Sequence, residues 1–390
     1  MAIGIVAEFN PFHNGHKYLI SEAKRQTGDD TAAAVMSGAW VQRGEPAFTD
    51  KHTRTRIALE NGVDLVLELP VIYSLNTAQR FAYGAIATLA ATGVISSLAF
   101  GSECGDSAAL TGAADMLLNE PPEVSDRIKK LTAQGLSFAS ARAEAFKDLI
   151  PRSLLSEPND ILGTEYIRAI KELGAGLEIC AIRRRGAAHD GKPEGDIASA
   201  SGIRKLLREK KNAAGYMPRC DFPIYDPAAL DTAVIARLRT CGAEYLAGIN
   251  DVSEGLENRF IKAARECDSV DELCKLVKSK RYAMSRIRRI AYSALLGLTK
   301  ELAKMPPSYI RVLGMNSRGA ALLRQMKSGC SSLPVITKPA DFTDEIFRFN
   351  NFAEDVFSLC APTKELRRGG CDLTRSPVVI LPRSAPISQE

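Results

Sequence analysis

Two of the chain's four histidines stand three positions apart in the stretch Asn10-Pro11-Phe12-His13-Asn14-Gly15-His16. Imidazoles at i and i+3 share one face of a first helical turn. From there they can donate hydrogen bonds to a phosphate whose charge grows during displacement. Gly15, lacking a side chain, lets a phosphate approach the backbone, and a helix opening at this point adds free N–H groups and the positive end of its dipole. The same spacing suits zinc, yet a catalytic zinc site wants a third protein ligand. Only His52 and His189 remain as imidazoles, with Asp, Glu or Cys as other donors. Packing of one ring in the core stays open as a third use.

Nucleotide chemistry needs a second clamp for the β- and γ-phosphates. The segment IASASGIRKLL, Ile197 to Leu207, offers Ser199 and Ser201 at a helix start and Arg204 one turn in. Hydroxyls, backbone N–H groups and a guanidinium together form an anion site. Taken alone the stretch is a serine N-cap; paired with the histidine motif it reads as the clamp. A further feature runs from Lys275 to Lys300, with eight basic residues and no acid. Within it Ile287, Ile290, Ala291, Ala294, Leu295 and Leu298 repeat at helical spacing and define a buried stripe. Arg281, Arg289, Tyr282 and Tyr292 are expected to point away from that stripe. Such a cationic face with aromatics suits phosphates and stacked bases. A merely solvated face is the alternative, although those usually mix both signs.

Elements must bring these groups together. The runs AIGIVAE, TAAAVMSG, LVLELP and SSLAFGSE read as strands buried on both faces. Helical patterns follow the first three, one of them N-capped by Asp50. Strands alternating with helices predict an α/β fold with a Rossmann-like parallel sheet, and in such sheets ligands bind at the carboxyl ends of the strands. The histidine motif sits at the first of these ends. Trp40, Gln42 and Arg43 follow the second strand, so a substrate contact competes there with burial of the tryptophan. Residues 105 to 175 read as mainly helical, and LEICAIRR returns to a strand.

Three prolines, Pro218, Pro223 and Pro227, interrupt any regular element. With 390 residues, two domains are expected, divided into 1–211 and a mainly α-helical 212–390. Short strands are conceivable in YIRVLG and PVVILP. Nine scattered cysteines without a CxxC pair read as reduced thiols. No signal peptide opens the chain and no apolar run reaches bilayer length, so a cytoplasmic protein without membrane contact is expected.

Beyond these patterns, GIVAEFNPFHNGHKYLI, MSGAWVQRGEPAFTDKHTRTRIALENGVDLVLELP, AFGSE, EPNDILGTEYIRAI, IASASGIRKLL, SKRYAMSRIRRI and RVLGMNSRGAALL together resemble the bacterial tRNA(Met) cytidine acetate ligases, within the HIGH-type nucleotidyltransferase superfamily. The resemblance implies a nucleotidyltransferase domain over 1–211 and a tRNA-binding domain over 212–390. It implies that acetate and ATP give acetyladenylate, whose acetyl group passes to N4 of the wobble cytidine of elongator tRNA(Met), giving N4-acetylcytidine. His13, His16, Ser199, Ser201 and Arg204 would be catalytic. ATP would meet Val6, Ala7, Glu8, Phe9, Asn10, Pro11, Phe12, His13, Asn14, Gly15, His16, Lys17, Tyr18, Leu19, Gly101, Asn159 and Arg184, with Arg183 and Arg185 competing for the last role. RNA would meet Arg281, Arg288 and Arg289. Magnesium is expected on the phosphates, with no protein metal ligand singled out. A small-molecule adenylyltransferase and an RNA-binding protein with a vestigial nucleotide site are the alternatives.

Overall fold

The computed structural model describes residues 1–185, 195–253 and 255–381. Among the described residues ten strands occur in chain order: β1 Ala2–Ala7, β2 Ala32–Ser37, β3 Trp40–Val41, β4 Glu45–Pro46, β5 Leu65–Leu69, β6 Ile95–Ser102, β7 Glu178–Arg183, β8 Ile310–Asn316, β9 Val335–Ile336 and β10 Val378–Ile380. The main sheet runs β10-β8-β5-β2-β1-β6-β7, with β9 beside β8. From β5 to β7 every pairing is parallel. Both β1 and β2 are buried along their whole length, as their unbroken apolar runs predict. Alternate residues feed two cores. Ile3 and Ile5 pack with the Asn14–Thr27 and Lys51–Glu60 helices on one face. Ala2 and Val6 pack on the other with the Ala78–Ala91 and Pro158–Glu172 helices.

The chain departs from β1 to β2 and β5 on one side, then returns to β6 and β7 on the other. Strand order therefore reverses at β1, and the carboxyl ends of β1 and β6 open a crevice there.

Past residue 212 the chain is mostly helical, with the Asp231–Thr240, Leu256–Ala264, Val270–Val277 and Met284–Leu296 helices packed together. The two conceivable C-terminal strands form, and both join the main sheet. β8 pairs antiparallel with β5, and β10 parallel with β8. The C-terminal part thus completes the sheet edge that β5 would otherwise leave open.

Charge pairing locks this edge in place. Lys51, fully buried, puts its Nζ 2.6 Å from Glu68 Oε1, 2.8 Å from Asp372 Oδ2 and 3.2 Å from Glu354 Oε2. Arg311 of β8 reaches Asp372 Oδ2 at 2.5 Å and Glu68 Oε2 at 3.3 Å. Trp40 is buried as well, its Nε1–H donating to the Ala353 carbonyl at 3.0 Å. The lone tryptophan is therefore core, with its ring 5.2 Å from that of Tyr292.

Candidate functional site

The loop after β1 is pinned from three directions. Phe9 adopts φ 45°, the left-handed region. Asn10 accepts from the Phe48 N–H on Oδ1 at 2.7 Å and from Arg204 Nη1 on its carbonyl at 2.7 Å. Asn14 Nδ2 donates to the Asp196 and Gly215 carbonyls at 2.9 and 3.0 Å. The two motifs, far apart in sequence, are thus fastened to each other.

His13 and His16 stack with ring centroids 3.8 Å apart and an interplanar angle of 26°. The His13 backbone N–H donates to His16 Nδ1 at 3.1 Å, which assigns the proton of a neutral His16 to Nε2. Two imidazolium ions could not stack this closely out of water, and both rings are held neutral. Burial, then Arg184 and Arg204, lower the His13 pKa to about 3. Burial, then His13 and Arg184, hold His16 well below its ordinary range. His13 Nδ1 is buried without a hydrogen-bond partner among the described residues. Gly15 serves the ring: a Cβ there would lie 2.9 Å from His13 Cε1.

A cleft of about 680 Å³ opens above these rings. Val6, Ala7, Glu8, Phe9, Asn10, His13, Gly15, His16, Tyr18 and Leu19 line it, and so do Gly101, Asn159, Arg184, Ser199, Ser201 and Arg204. Pro11, Phe12, Asn14 and Lys17 do not: Phe12 is core, Asn14 ties the loops and Lys17 is exposed. Arg183, Arg184 and Arg185 all reach the cleft. Arg184 Nε lies 3.9 Å from Glu103 Oε1, and the Arg185 guanidinium sits 4.6 Å from the Tyr18 ring centroid. Ser199 caps its helix by accepting from the Gly202 N–H at 3.2 Å, and its Oγ is 3.1 Å from that of Ser201.

Several positioning residues escape pattern reading. Glu103 accepts from Asn159 Nδ2 at 2.5 Å and from the Asn159 and Asp160 N–H groups at 3.1 and 3.0 Å. Buried Asp160 holds the same turn from the other side, accepting from Ser102 Oγ at 2.5 Å and the Glu103 N–H at 2.9 Å. Buried Arg54 donates to the carbonyls of Glu8 at 2.7 Å and Ser37 at 2.8 Å, and to that of Gly38. A lone arginine in a helical run signals solvent more often than a strand-end clasp. Glu103 had a signal, being a carboxylate just past a strand's carboxyl end.

The basic helix differs from its expected orientation. Tyr282, Tyr292 and Arg289 are buried. Arg289 Nη2 binds Asp251 Oδ2 at 2.7 Å and its Nη1 reaches the Gln42 carbonyl at 3.4 Å. The backbone of this helix presses on Gly44, at φ 81°, where a Cβ would lie 2.5 Å from the Arg289 nitrogen. Such proximity buries one flank of the basic run. Arg288 pairs with Glu45 and with Asp271 at 3.2 Å, and with Met284 and Ser285 it lines the same cleft. Arg281 stays exposed.

Among the described residues no group of three His, Cys, Asp or Glu could hold a metal ion, and no helix is long and apolar enough to cross a membrane. His189 lies outside the described residues.

Parallel strands reversing at β1, with paired histidines above the reversal and a serine-capped helix facing them, define a nucleotidyltransferase-type α/β fold. The family model described as HIGH Nucleotidyl Transferase matches residues 1–370. The tRNA(Met) cytidine acetate ligase of Caldanaerobacter subterraneus subsp. tengcongensis is 41% identical over 382 residues, covering 92% of this chain and 95% of that protein. Thermotoga maritima TmcAL superposes with a TM-score of 0.90 as the apo form, and of 0.88 as the form bound with alpha-thio ATP. In each case identity is 32%, with 98% of this chain and 100% of the neighbour covered. The chain belongs to the HIGH nucleotidyltransferase family and, within it, to the tRNA(Met) cytidine acetate ligases.

Proposed function

We propose that this chain is an ATP-dependent ligase that activates acetate as acetyladenylate and transfers the acetyl group to N4 of the wobble cytidine of elongator tRNA(Met). The observation that carries this reading is the shared cleft, where His13 and His16 face Ser199, Ser201 and Arg204. A carboxylate oxygen of acetate attacks the α-phosphorus, and pyrophosphate leaves. Neutral His13 and His16 donate to the α-phosphate as charge develops, while the Ala200–Arg208 helix start, its serines and Arg204 hold the leaving group. Acetate is already charged, so no protein nucleophile is required. Magnesium arrives as part of the MgATP substrate, and the arginines supply the chain's own share of positive charge.

Binding of alpha-thio ATP by the Thermotoga neighbour supports ATP as the nucleotide, and the names of the relatives support acetate and tRNA(Met). The presence of Met284, Ser285 and Arg288 in the cleft wall supports an acceptor that spans the sheet and the helical part. Arg281 and Arg288 are proposed RNA contacts, and a tRNA substrate makes the reading a cytoplasmic one. Incubation with labelled acetate, ATP and total bacterial tRNA, followed by nucleoside analysis, tests it. Label in N4-acetylcytidine is the expected result; label absent from cytidine would sink the ligase reading.

A further inference from the structure

Under the ligase reading, on which this inference rests, acetyl transfer to an exocyclic amine leaves a proton to be removed. As N4 attacks the acetyl carbonyl carbon, the bond from that carbon to the adenylate oxygen breaks. AMP departs with the electron pair, and N4 gives up one hydrogen as a proton. Some group in the cleft must take it.

His16 cannot use its Nδ1 lone pair, which already accepts from the His13 N–H at 3.1 Å. His13, its pKa lowered to about 3, is a weak base. Among the described residues two carboxylates line the cleft, Glu8 and Glu45. Glu45 is held by Arg288. Glu8 makes no ion pair with a described residue, and its Oε1 accepts a hydrogen bond from the Gln42 N–H at 2.7 Å. Its position is fixed twice over. Arg54 Nη1 grips its carbonyl at 2.7 Å, and Gln42 Nε2 is anchored on the Asn76 carbonyl at 3.3 Å. The residue stands half-buried just past β1, where the sheet order reverses. A carboxylate is also the group that reads cytosine by accepting from N4–H.

We infer that Glu8 accepts a hydrogen bond from N4 of the target cytidine and takes its proton as the acetyl group is transferred. Burial raises the carboxyl pKa above its ordinary 4.5, while Arg43, Arg204 and Arg54 oppose the rise. The nearby Tyr166 phenol is itself kept protonated by burial. Once ionised, a carboxylate of raised pKa accepts a proton better than an ordinary one.

Synthetic acetyladenylate, supplied with a tRNA(Met) transcript to the full-length protein, isolates the transfer step. Acetate-dependent pyrophosphate release from ATP, without tRNA, reports the first step. Glu8→Gln is expected to slow transfer by about 10²–10⁴-fold, far more than it slows pyrophosphate release, and Glu8→Asp to recover part of the rate. The wild-type transfer rate should rise with pH and level off above the Glu8 pKa, a limb that Glu8→Gln lacks. Wild-type transfer by Glu8→Gln overturns the inference, and so does equal loss of both steps. If neither variant folds, a wild-type transfer rate that does not rise with pH overturns it. A wild-type protein performing neither step overturns the ligase reading instead.

Discussion

The cleft and the charge cluster around Lys51 both hold polar groups away from water, but in only one of them is every charge met by an opposite charge of the chain. In the cluster two cations face three carboxylates, each within 3.3 Å of an opposite charge. Burial, only partly offset by Lys51, pushes the Glu354 pKa up to about 7, so a proton can remove the excess charge. In the cleft, His13 Nδ1 has no partner among the described residues, and burial together with nearby arginines keeps both rings neutral. A cluster whose partners all come from the chain stabilises the chain. A buried ring nitrogen left without a partner beside an open cleft is where a ligand's atom belongs.

Breaking the complete cluster should have the largest effect. Lys51→Met strands Glu354 and leaves Glu68 and Asp372 to Arg311 alone, and is expected to cost about 3–5 kcal/mol of stability, measured by denaturant unfolding. Breaking the incomplete one should act on rate instead. His16→Ala should lower acetate-dependent pyrophosphate release by about 10²–10³-fold, with a far smaller change in unfolding midpoint than Lys51→Met; retention of most of the release would make His16 structural.

Two smaller tests sharpen the contrast. Replacing Arg281 and Arg288 together with Ala should weaken tRNA binding and flatten its log–log salt dependence by roughly one to two units, whereas Arg289→Ala should act mainly on stability by leaving Asp251 to Arg286 alone. An unchanged slope in the double variant would remove these two arginines from the RNA contact. The smallest effect concerns pH. Glu354 binds its proton more tightly folded than unfolded, so its contribution is full below the ordinary 4.5 and is lost as pH rises through about 7. Glu354→Gln should flatten that decline in a series of unfolding midpoints; an unaltered pH series would show that Glu354 does not titrate there.

Much of this was legible in residue order. Unbroken apolar runs marked β1, β2, β5 and β6, and the strand-end position of His13 and His16 pointed to the crevice. What was hidden depends on tertiary contact. The stripe of Ile287, Ile290 and Ala294 predicted one buried face of the basic helix. The burial of Arg289, Tyr282 and Tyr292 comes from neighbours such as Asp251 and Gly44 that no periodicity within the helix encodes. Arg54 was equally silent, because a guanidinium clasping three strand-end carbonyls has the same local sequence as one in water.

The closing of the sheet edge by β8 and β10 has a consequence for biosynthesis. Every described residue that lines the cleft precedes Ile310. A ribosome that has released residue 305 from its tunnel has therefore delivered all of those side chains. Yet β5 still lacks its outer neighbour, and Lys51 and Glu68 still lack Arg311, Glu354 and Asp372. An unpaired strand edge beside a Lys51–Glu68 pair that lacks its other partners is a sticky and unstable surface. The nascent polypeptide thus holds a full set of cleft residues on an unfinished scaffold until its last segment emerges, so premature termination yields aggregation-prone fragments instead of a smaller working enzyme.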